Sequence, residues 1–272
     1  MASKVLNQSN KLNFDSFKEQ PRLTISIENR MAILAANENF LLCDITNGLL
    51  LIDEQGNEKI IIPVGFSAQA GCWSSHLNQF LISDGSGKNL YALDINTEQL
   101  QAVKKIIGGV RSCTCYEETF MCAIGPRGEK IEKYNLSNWQ LEGMFAIRDV
   151  SQIKFNSDGT HVGVILDDPE GVVWSAFSFA LYNPQDMSLL QQSTYIDAGH
   201  YCCLIPLPLN GQFEYLATIY TENYIYLLDS NGQLKETLAD KHVKKVISAA
   251  IINSKCLVLR TEEPDELQFY SL

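Results

Sequence analysis

Short apolar runs, separated by turn residues, follow one another along the chain from Leu23 to its end. The runs are rich in Val, Ile, Leu, Phe and Tyr, and Gly, Asn, Asp and Ser lie between them. Runs of this length and spacing are typical of β-strands joined by tight turns. No amphipathic helical stretch of useful length interrupts them. The pattern therefore predicts an all-β protein.

One of these apolar runs recurs six times, and most of its copies end in Asp or Asn. The copies are Leu49–Asp53, Leu90–Asp94, Ile131–Asn135, Phe179–Asn183, Tyr224–Asp229 and Leu267–Ser271. Their last residues are 41, 41, 48, 46 and 42 positions apart, which averages about 44. A repeat of roughly 40–45 residues is the length of one four-stranded blade of a β-propeller. The spacing therefore predicts a six-bladed β-propeller.

Each repeat also supplies three further strands, always in the same order. A polar turn and an outer strand follow each copy, and the innermost and second strands of the next blade come after them. The predicted innermost strands are Met31–Ala36, Ala70–Ser75, Val110–Cys115, Val150–Phe155, Tyr201–Leu207 and Val246–Ile252. Five blades are complete in this reading, and the sixth lacks its outer strand.

A strand near the N-terminus supplies the element that the sixth blade lacks. Leu23–Ile27 is an apolar run that precedes the first blade, and pairing it beside Glu266–Leu272 gives every blade four strands. Closure of the ring removes the exposed sheet edge that an open end would leave. We therefore predict a polar N-terminal tail over 1–21 and a single six-bladed domain over 22–272.

The fourth repeat resembles a blade of the WD-repeat propellers. Val150–Gly159 is similar to the inner strand and following turn of that family, and Gly199–His200 is similar to its Gly-His pair. The family's Trp-Asp dipeptide is absent, and Leu93–Asp94 and Leu228–Asp229 stand in its place. The resemblance covers the fold of nearly the whole chain. It implies a scaffold for protein partners.

Charge and composition narrow the kind of partner and the compartment. The formal net charge of −11 disfavours binding to nucleic acid, because phosphate backbones would repel the chain. No apolar run is long enough to cross a bilayer, and residues 1–20 lack the apolar stretch of a secretory signal. The eight cysteines form no CxxC motif and fit buried free thiols. We therefore expect a cytoplasmic protein that binds no membrane.

The sequence offers no catalytic or metal-binding set. The four histidines are scattered, and the cysteines and histidines lack the clustered spacing of a zinc site. Gly85–Lys88 lacks the helix that follows a phosphate-binding loop, so we interpret it as a turn between strands. We therefore predict no catalytic residue, no metal ligand and no cofactor.

Charged and aromatic residues accumulate in two sets of loops that share one face of a propeller, around its channel. These loops join the second strand to the third, and the outer strand to the next inner strand. The candidate residues are Arg111, Asp149, Asp167, Asp168, Glu170, Trp174, His200, Tyr201, Glu222, Lys244, Glu262 and Glu263. We predict that this face binds a protein or peptide, for which a basic segment would match the acidic loops.

Other interpretations of the same residues stay open. Acidic loops also serve only to keep a protein in solution. Carboxylates that converge on the channel would instead fit a six-bladed lactonase or hydrolase with a divalent metal ion. The chain could also be a structural part of a larger assembly. For the main hypothesis, a non-enzymatic interaction scaffold, we expect a monomer or a subunit of a hetero-complex.

Overall fold

The computed structural model shows a protein built of β-strands. It describes residues 20–28, 31–86, 88–168, 176–194, 196–197, 202–208, 213–220, 224–239 and 245–272, and only the backbone of 196–197, 224 and 234–239. Within these ranges every regular element is a strand. No helix with the length and hydropathy needed to cross a membrane occurs in the part of the chain that the structure describes.

Twenty-five strands lie in the described residues. The first thirteen are β1 (Leu23–Ser26), β2 (Ala32–Ala36), β3 (Phe40–Ile45), β4 (Gly48–Asp53), β5 (Glu58–Pro63), β6 (Ala68–Ser74), β7 (Gln79–Asp84), β8 (Asn89–Asp94), β9 (Gln99–Lys105), β10 (Val110–Tyr116), β11 (Thr119–Ile124), β12 (Lys130–Asn135) and β13 (Leu141–Phe145). The others are β14 (Val150–Phe155), β15 (Val162–Asp167), β16 (Ala176–Tyr182), β17 (Leu189–Gln192), β18 (Ile196–Asp197), β19 (Cys202–Pro206), β20 (Tyr215–Ile219), β21 (Tyr224–Leu228), β22 (Leu234–Ala239), β23 (Val246–Ile252), β24 (Cys256–Thr261) and β25 (Glu266–Ser271).

The strands form six small antiparallel sheets, which are the six blades. Blades 1 to 5 are β2–β5, β6–β9, β10–β13, β14–β17 and β19–β22, each in chain order from the innermost strand outwards. In blade 4 the outer edge is interrupted, because β18 pairs with β16 beyond the end of β17. Blade 6 consists of β23, β24 and β25, with β1 as its outer strand.

The ring is closed as the sequence predicted. Strand β1 pairs with β25 from Leu23 opposite Phe269 to Ser26 opposite Glu266. The side chains of Leu23 and Ile25 also reach blade 1, since a Cβ atom added to Gly56 would lie 2.5 Å from Cδ1 of Ile25. The all-β class, the six blades and the closing N-terminal strand are therefore confirmed.

The core lies between the blades, so the middle strands of each sheet are covered on both faces. In β4, Leu49 and Leu51 are fully buried, and the two residues that alternate with them, Leu50 and Ile52, are only 2% exposed. This arrangement explains why the recurring run is continuously apolar instead of alternating. Burial of each such side chain contributes about 1.5–3 kcal/mol to folding.

The innermost strands are linked by side chains that cross from blade to blade. Each inner strand has one edge without a partner strand, and its N–H groups still need acceptors. Ser112 in β10 accepts a hydrogen bond from the Ile153 N–H in β14 at 3.2 Å, and Gln152 accepts from the Leu204 N–H in β19 at 3.3 Å. Ser248 in β23 accepts from the Ile33 N–H in β2 at 3.0 Å. In each case the preceding blade supplies the acceptor.

The two faces of the ring carry different loops. The upper face carries two kinds of loop: those that join the second strand of a blade to its third strand, and those that join the outer strand of a blade to the innermost strand of the next blade. The lower face carries the turns that join the first strand of a blade to its second strand, and the third strand to the outer strand.

Candidate functional site

On the upper face, Arg111 and Asp167 join blade 3 to blade 4. The Arg111 Nη2 atom lies 2.7 Å from Oδ2 of Asp167, and Nη1 donates to the Pro126 carbonyl at 3.0 Å. Burial raises the pKa of Asp167, and the positive charge of Arg111 opposes that rise. The second carboxylate oxygen, Oδ1, is buried without a hydrogen-bond partner among the described residues. This pair therefore serves to connect neighbouring blades.

Asp149 and Asp168 lie close to this pair on the upper face. The Asp149 carbonyl accepts a hydrogen bond from the Asp167 N–H at 2.8 Å, and its carboxylate lies 3.6 Å from Nε of Arg127. The Asp168 N–H donates to the Ala176 carbonyl at 3.0 Å. The structure thus places Arg111, Asp149, Asp167 and Asp168 close together at the junction of blades 3 and 4.

Glu262 and Glu263 lie on the upper face of blade 6, and both have partners. Glu262 accepts a hydrogen bond from the Tyr220 hydroxyl of blade 5, and Glu263 forms an ion pair with Lys245. The Glu263 side chain remains 70% exposed. In this acidic loop, therefore, both Glu262 and Glu263 interact with neighbouring side chains of the protein itself.

Six predicted site residues lie outside the described residues. They are Glu170, Trp174, His200, Tyr201, Glu222 and Lys244. The upper-face site that they would complete stays a prediction.

A cavity of about 290 Å³ occupies the lower half of the channel. Its wall is formed by the lower ends of all six inner strands and consists mostly of small or apolar residues, such as Ala36, Gly71, Leu204 and Ala250. Lys154 is the one charged residue among the described residues that line it. The channel mouth on the lower face is thus an apolar pocket with a single ammonium group.

A second cavity of about 560 Å³ lies on the lower face across blades 2, 3 and 4. This groove is lined by turn residues and by the ends of inner strands. The lining residues are Ser75, His76, Tyr116, Glu117, Glu118, Thr119, Lys133, Phe155, Gly159, Pro184 and Gln185. Its walls are held by hydrogen bonds, since Nζ of Lys133 donates to the Pro184 carbonyl at 3.3 Å and His76 lies 3.2 Å from the Ser137 hydroxyl.

The groove and the channel cavity share two aromatic residues. Tyr116 and Phe155 line both spaces, and their ring centroids are 5.8 Å apart. Gly159, with φ of +70°, allows Tyr116 to lie against its turn, because a Cβ atom there would come within 2.2 Å of the ring. The sequence predicted this glycine as a turn residue. The two cavities therefore adjoin at these two rings, and we call them together the lower cleft.

The lower face is strongly acidic. The carboxylates in its described turns are those of Glu38, Glu54, Glu98, Glu117, Glu118, Asp158, Asp186, Glu214 and Asp229. Lys255 is the one lysine or arginine in those same turns. The three aspartates accept hydrogen bonds from their own turns, whereas the Glu117 and Glu118 side chains at the lower cleft are exposed to solvent. A basic partner segment would therefore be attracted to this face.

The metal-dependent enzyme that we considered as the alternative needs several ligands close together in the channel. No group of three His, Cys, Asp or Glu side chains that could hold a metal ion occurs among the described residues. The part of the channel wall that surrounds the cavity carries Lys154 and no carboxylate among the described residues. These residues give that alternative no ligand set.

No local pattern in the sequence distinguishes the residues of the lower cleft from other turn and strand residues. His76 and the Glu117–Glu118 pair lie in short polar stretches that are typical of turns, and Lys154 lies within the predicted inner strand Val150–Phe155. The available signal was the concentration of glutamates in lower-face turns, which becomes visible only when the turns are sorted by face.

Six four-stranded blades in a closed ring define the chain as a six-bladed β-propeller. A chain of the mitotic checkpoint complex has the same fold with a TM-score of 0.66 and 12% identity, over 100% of this chain and 95% of that chain. A chain of hydrazine synthase from Kuenenia stuttgartiensis also has a TM-score of 0.66, with 9% identity over 88% of this chain and 83% of that chain.

These likenesses concern the fold alone. They confirm the resemblance to WD-repeat propellers at that level. One neighbour comes from a protein assembly and the other from an enzyme, so the shared fold does not decide the function. No protein-family model and no curated protein sequence matches the chain.

Proposed function

We propose that this propeller is a non-enzymatic scaffold that binds a protein partner by taking a segment of the partner into the lower cleft. The observation that carries the proposal is that the polar groove adjoins the apolar channel mouth at Tyr116 and Phe155, which line both. The cytoplasmic location expected from the sequence is part of the proposal.

The lower cleft has the composition of a peptide-binding site. Binding sites combine an apolar pocket, which takes an anchoring side chain, with a polar rim that fixes the segment in place. Here the channel mouth supplies the apolar pocket, and Glu117, Glu118, Lys133 and Gln185 supply the rim. The cavity volumes of about 290 and 560 Å³ suit a short segment. The neighbour from the mitotic checkpoint complex supports a scaffold role by analogy of fold.

The upper face is the competing location, and its acidic loops motivated the prediction of a basic partner segment. Four of its described carboxylates, those of Asp167, Asp149, Glu262 and Glu263, are engaged with Arg111, Arg127, Tyr220 and Lys245, respectively. A partner that docks there would compete with those bonds. The exposed Glu117 and Glu118 offer the same negative charge without that competition, so a basic segment fits the lower face better.

The test is peptide selection against the full chain, followed by binding measurements on two classes of variant. Ser75 lines the groove and is exposed, so Ser75→Trp fills the groove without disturbing the core. We expect it to weaken the selected peptides at least tenfold. The control is Asn47→Trp, at an exposed position of an upper-face turn, which should leave the affinity unchanged.

Charge reversal of Asp168, Glu262 and Glu263 together tests the upper face. The proposal predicts no change in peptide affinity for this triple variant. Loss of binding in the triple variant, with full binding by Ser75→Trp, would assign the site to the upper face and overturn the proposal.

A further inference from the structure

Lys154 places an ammonium group inside the channel. Its Nζ atom donates a hydrogen bond to the Cys113 carbonyl of blade 3 at 3.1 Å. Burial raises the pKa of Cys72 and of Cys203, and a hydrogen bond with Cys72 together with burial raises the pKa of Cys113. The positive charge of Lys154 opposes all three rises. The ammonium group of blade 4 therefore lies near thiols of blades 2, 3 and 5.

Among the described residues no carboxylate lies within ion-pair distance of Lys154. A lysine ammonium has three donors, and the hydrogen bond to Cys113 uses one of them. Lys154 is only partly buried, and a ligand that enters the pocket removes its ammonium group from solvent, which is costly unless the ligand brings an opposite charge. The pocket is therefore suited to a ligand that carries a carboxylate.

The groove of the same cleft is lined by two glutamates and one lysine, Lys133, so its charge is negative on balance. Glu117 and Glu118 are exposed at the groove, and Glu117 is held in the left-handed region with φ of +47°. A ligand that fits the whole cleft is negative at its inner end and positive further out.

We propose that the lower cleft binds the C-terminal end of a partner chain, with the terminal carboxylate at Lys154. A lysine or arginine a few residues upstream then lies at Glu117 and Glu118. This inference rests on the proposed function and specifies its ligand. A chain end fits this pocket better than an internal acidic residue. A chain end brings one segment of backbone into the cavity of about 290 Å³, whereas an internal residue would bring the chain in and out again. Capture of a C-terminal carboxylate is a known mode of peptide recognition.

The experiment compares one peptide in two chemical forms. Random six-residue peptides displayed with free C-termini are selected on the full chain, and the tightest binder is synthesised as the free acid and as the amide. We expect amidation to weaken binding at least tenfold, which is about 1.4 kcal/mol. Lys154→Met should weaken the free acid to the level of the amide and leave the amide unchanged. Lys154→Arg should keep the difference between the two forms.

The basic residue of the ligand is tested with matched glutamates. Glu117→Asn should weaken the free-acid peptide several-fold and reduce the dependence of its affinity on salt. Glu98→Asn is the control, because Glu98 is also an exposed turn glutamate with positive φ, 57°, and it does not line the cleft. It should change neither the affinity nor the salt dependence.

Three outcomes bear on this inference and on the proposed function. Equal affinity of acid and amide, with Ser75→Trp still blocking both, overturns the chain-end inference and leaves the lower cleft as the binding site. Selection of peptides that Ser75→Trp does not block overturns both. Enrichment of an internal Asp or Glu, with no effect of amidation, also overturns the chain-end inference.

Discussion

The Thr114 hydroxyl accepts a hydrogen bond from the Phe155 N–H at 3.0 Å, although the two residues belong to different blades. Both are buried, so removal of the acceptor leaves an N–H without a partner. We predict that Thr114→Val, which keeps the shape of the side chain, lowers the free energy of unfolding by about 1–3 kcal/mol. Thr114→Ser keeps the acceptor and should cost less. Urea unfolding measures both, and an equal loss in the two variants would contradict the role of the hydroxyl.

Arg260 is fully buried at the junction of blade 6 with blade 1. Its Nε atom donates to the Met31 carbonyl at 3.0 Å, and Nη2 lies 2.6 Å from Oδ1 of Asp265. We predict that Arg260→Ala lowers the free energy of unfolding by about 3–5 kcal/mol, because it leaves a partly buried carboxylate and a carbonyl without their partner. The exposed pair of Lys245 and Glu263 provides the comparison, and Glu263→Gln should cost less than about 1 kcal/mol. Comparable losses would be inconsistent with a structural role specific to Arg260.

The closing strand should depend on its inward side chains. Ile25 is half-buried and packs with the core shared by blades 6 and 1, whereas Thr24 is exposed. We predict that Ile25→Asp lowers the free energy of unfolding by about 2 kcal/mol, and that Thr24→Asp changes it by less than about 0.5 kcal/mol. Chemical unfolding of the full chain distinguishes them, and equal effects would show that the strand does not pack as described.

The lowered pKa of Asp53 should make the free energy of unfolding fall at acidic pH. Burial alone would raise the pKa of Asp53, but hydrogen bonds from Lys59 and Asn57 outweigh it and hold the pKa at about 2, below the ordinary 3.8. The folded state therefore binds this proton less readily than the unfolded state. The stabilisation is complete above pH about 4 and is lost as the pH falls through about 2.

The measurement is unfolding of wild type and of Asp53→Asn over a series of pH values. The difference in free energy of unfolding between them should be constant at neutral pH and shrink as the pH falls below about 4. A difference that stays constant down to pH 2 would contradict the perturbed pKa.

Glu117 is expected to lower the free energy of unfolding, because of its backbone conformation, while it contributes to peptide binding. Asparagine tolerates the left-handed region better than glutamate, so Glu117→Asn should raise the free energy of unfolding by up to about 1 kcal/mol. Glu98→Asn should do the same, since Glu98 has the same backbone conformation. The two variants should thus match in thermal unfolding and differ only in peptide binding.

Most of the fold could be predicted from the sequence, because the same blade pattern recurs six times along the chain. The third strand of each blade is buried on both faces, so runs such as Leu49–Asp53 and Leu90–Asp94 stand out as apolar strands at a regular interval. The closing strand could be predicted because blade 6 was one strand short. The interruption of the outer edge of blade 4 was not predicted, because the exposed β17, with Leu189 and Leu190, has no buried face to mark it.

The site was far less accessible to sequence reasoning. The charged residues of the upper face were found, but not their partners, because Arg111 and Asp167 are 56 positions apart and meet only through the ring. The lower cleft combines Ser75, Tyr116 and Pro184 from three blades. Which turns meet at a groove depends on the twist and tilt of the blades, and one sequence does not encode these in a local pattern.

The pairing of β1 with β25 also has a mechanical consequence. The ladder is antiparallel, and Leu23 lies opposite Phe269 at one end while Ser26 lies opposite Glu266 at the other. The chain enters β1 and leaves β25 at the same end of the ladder. Tension between these two points therefore separates the paired residues of β1 and β25 one after another, starting at Leu23 and Phe269. It does not act on all the pairs at the same time. Under tension the ring opens first at the junction of blades 6 and 1.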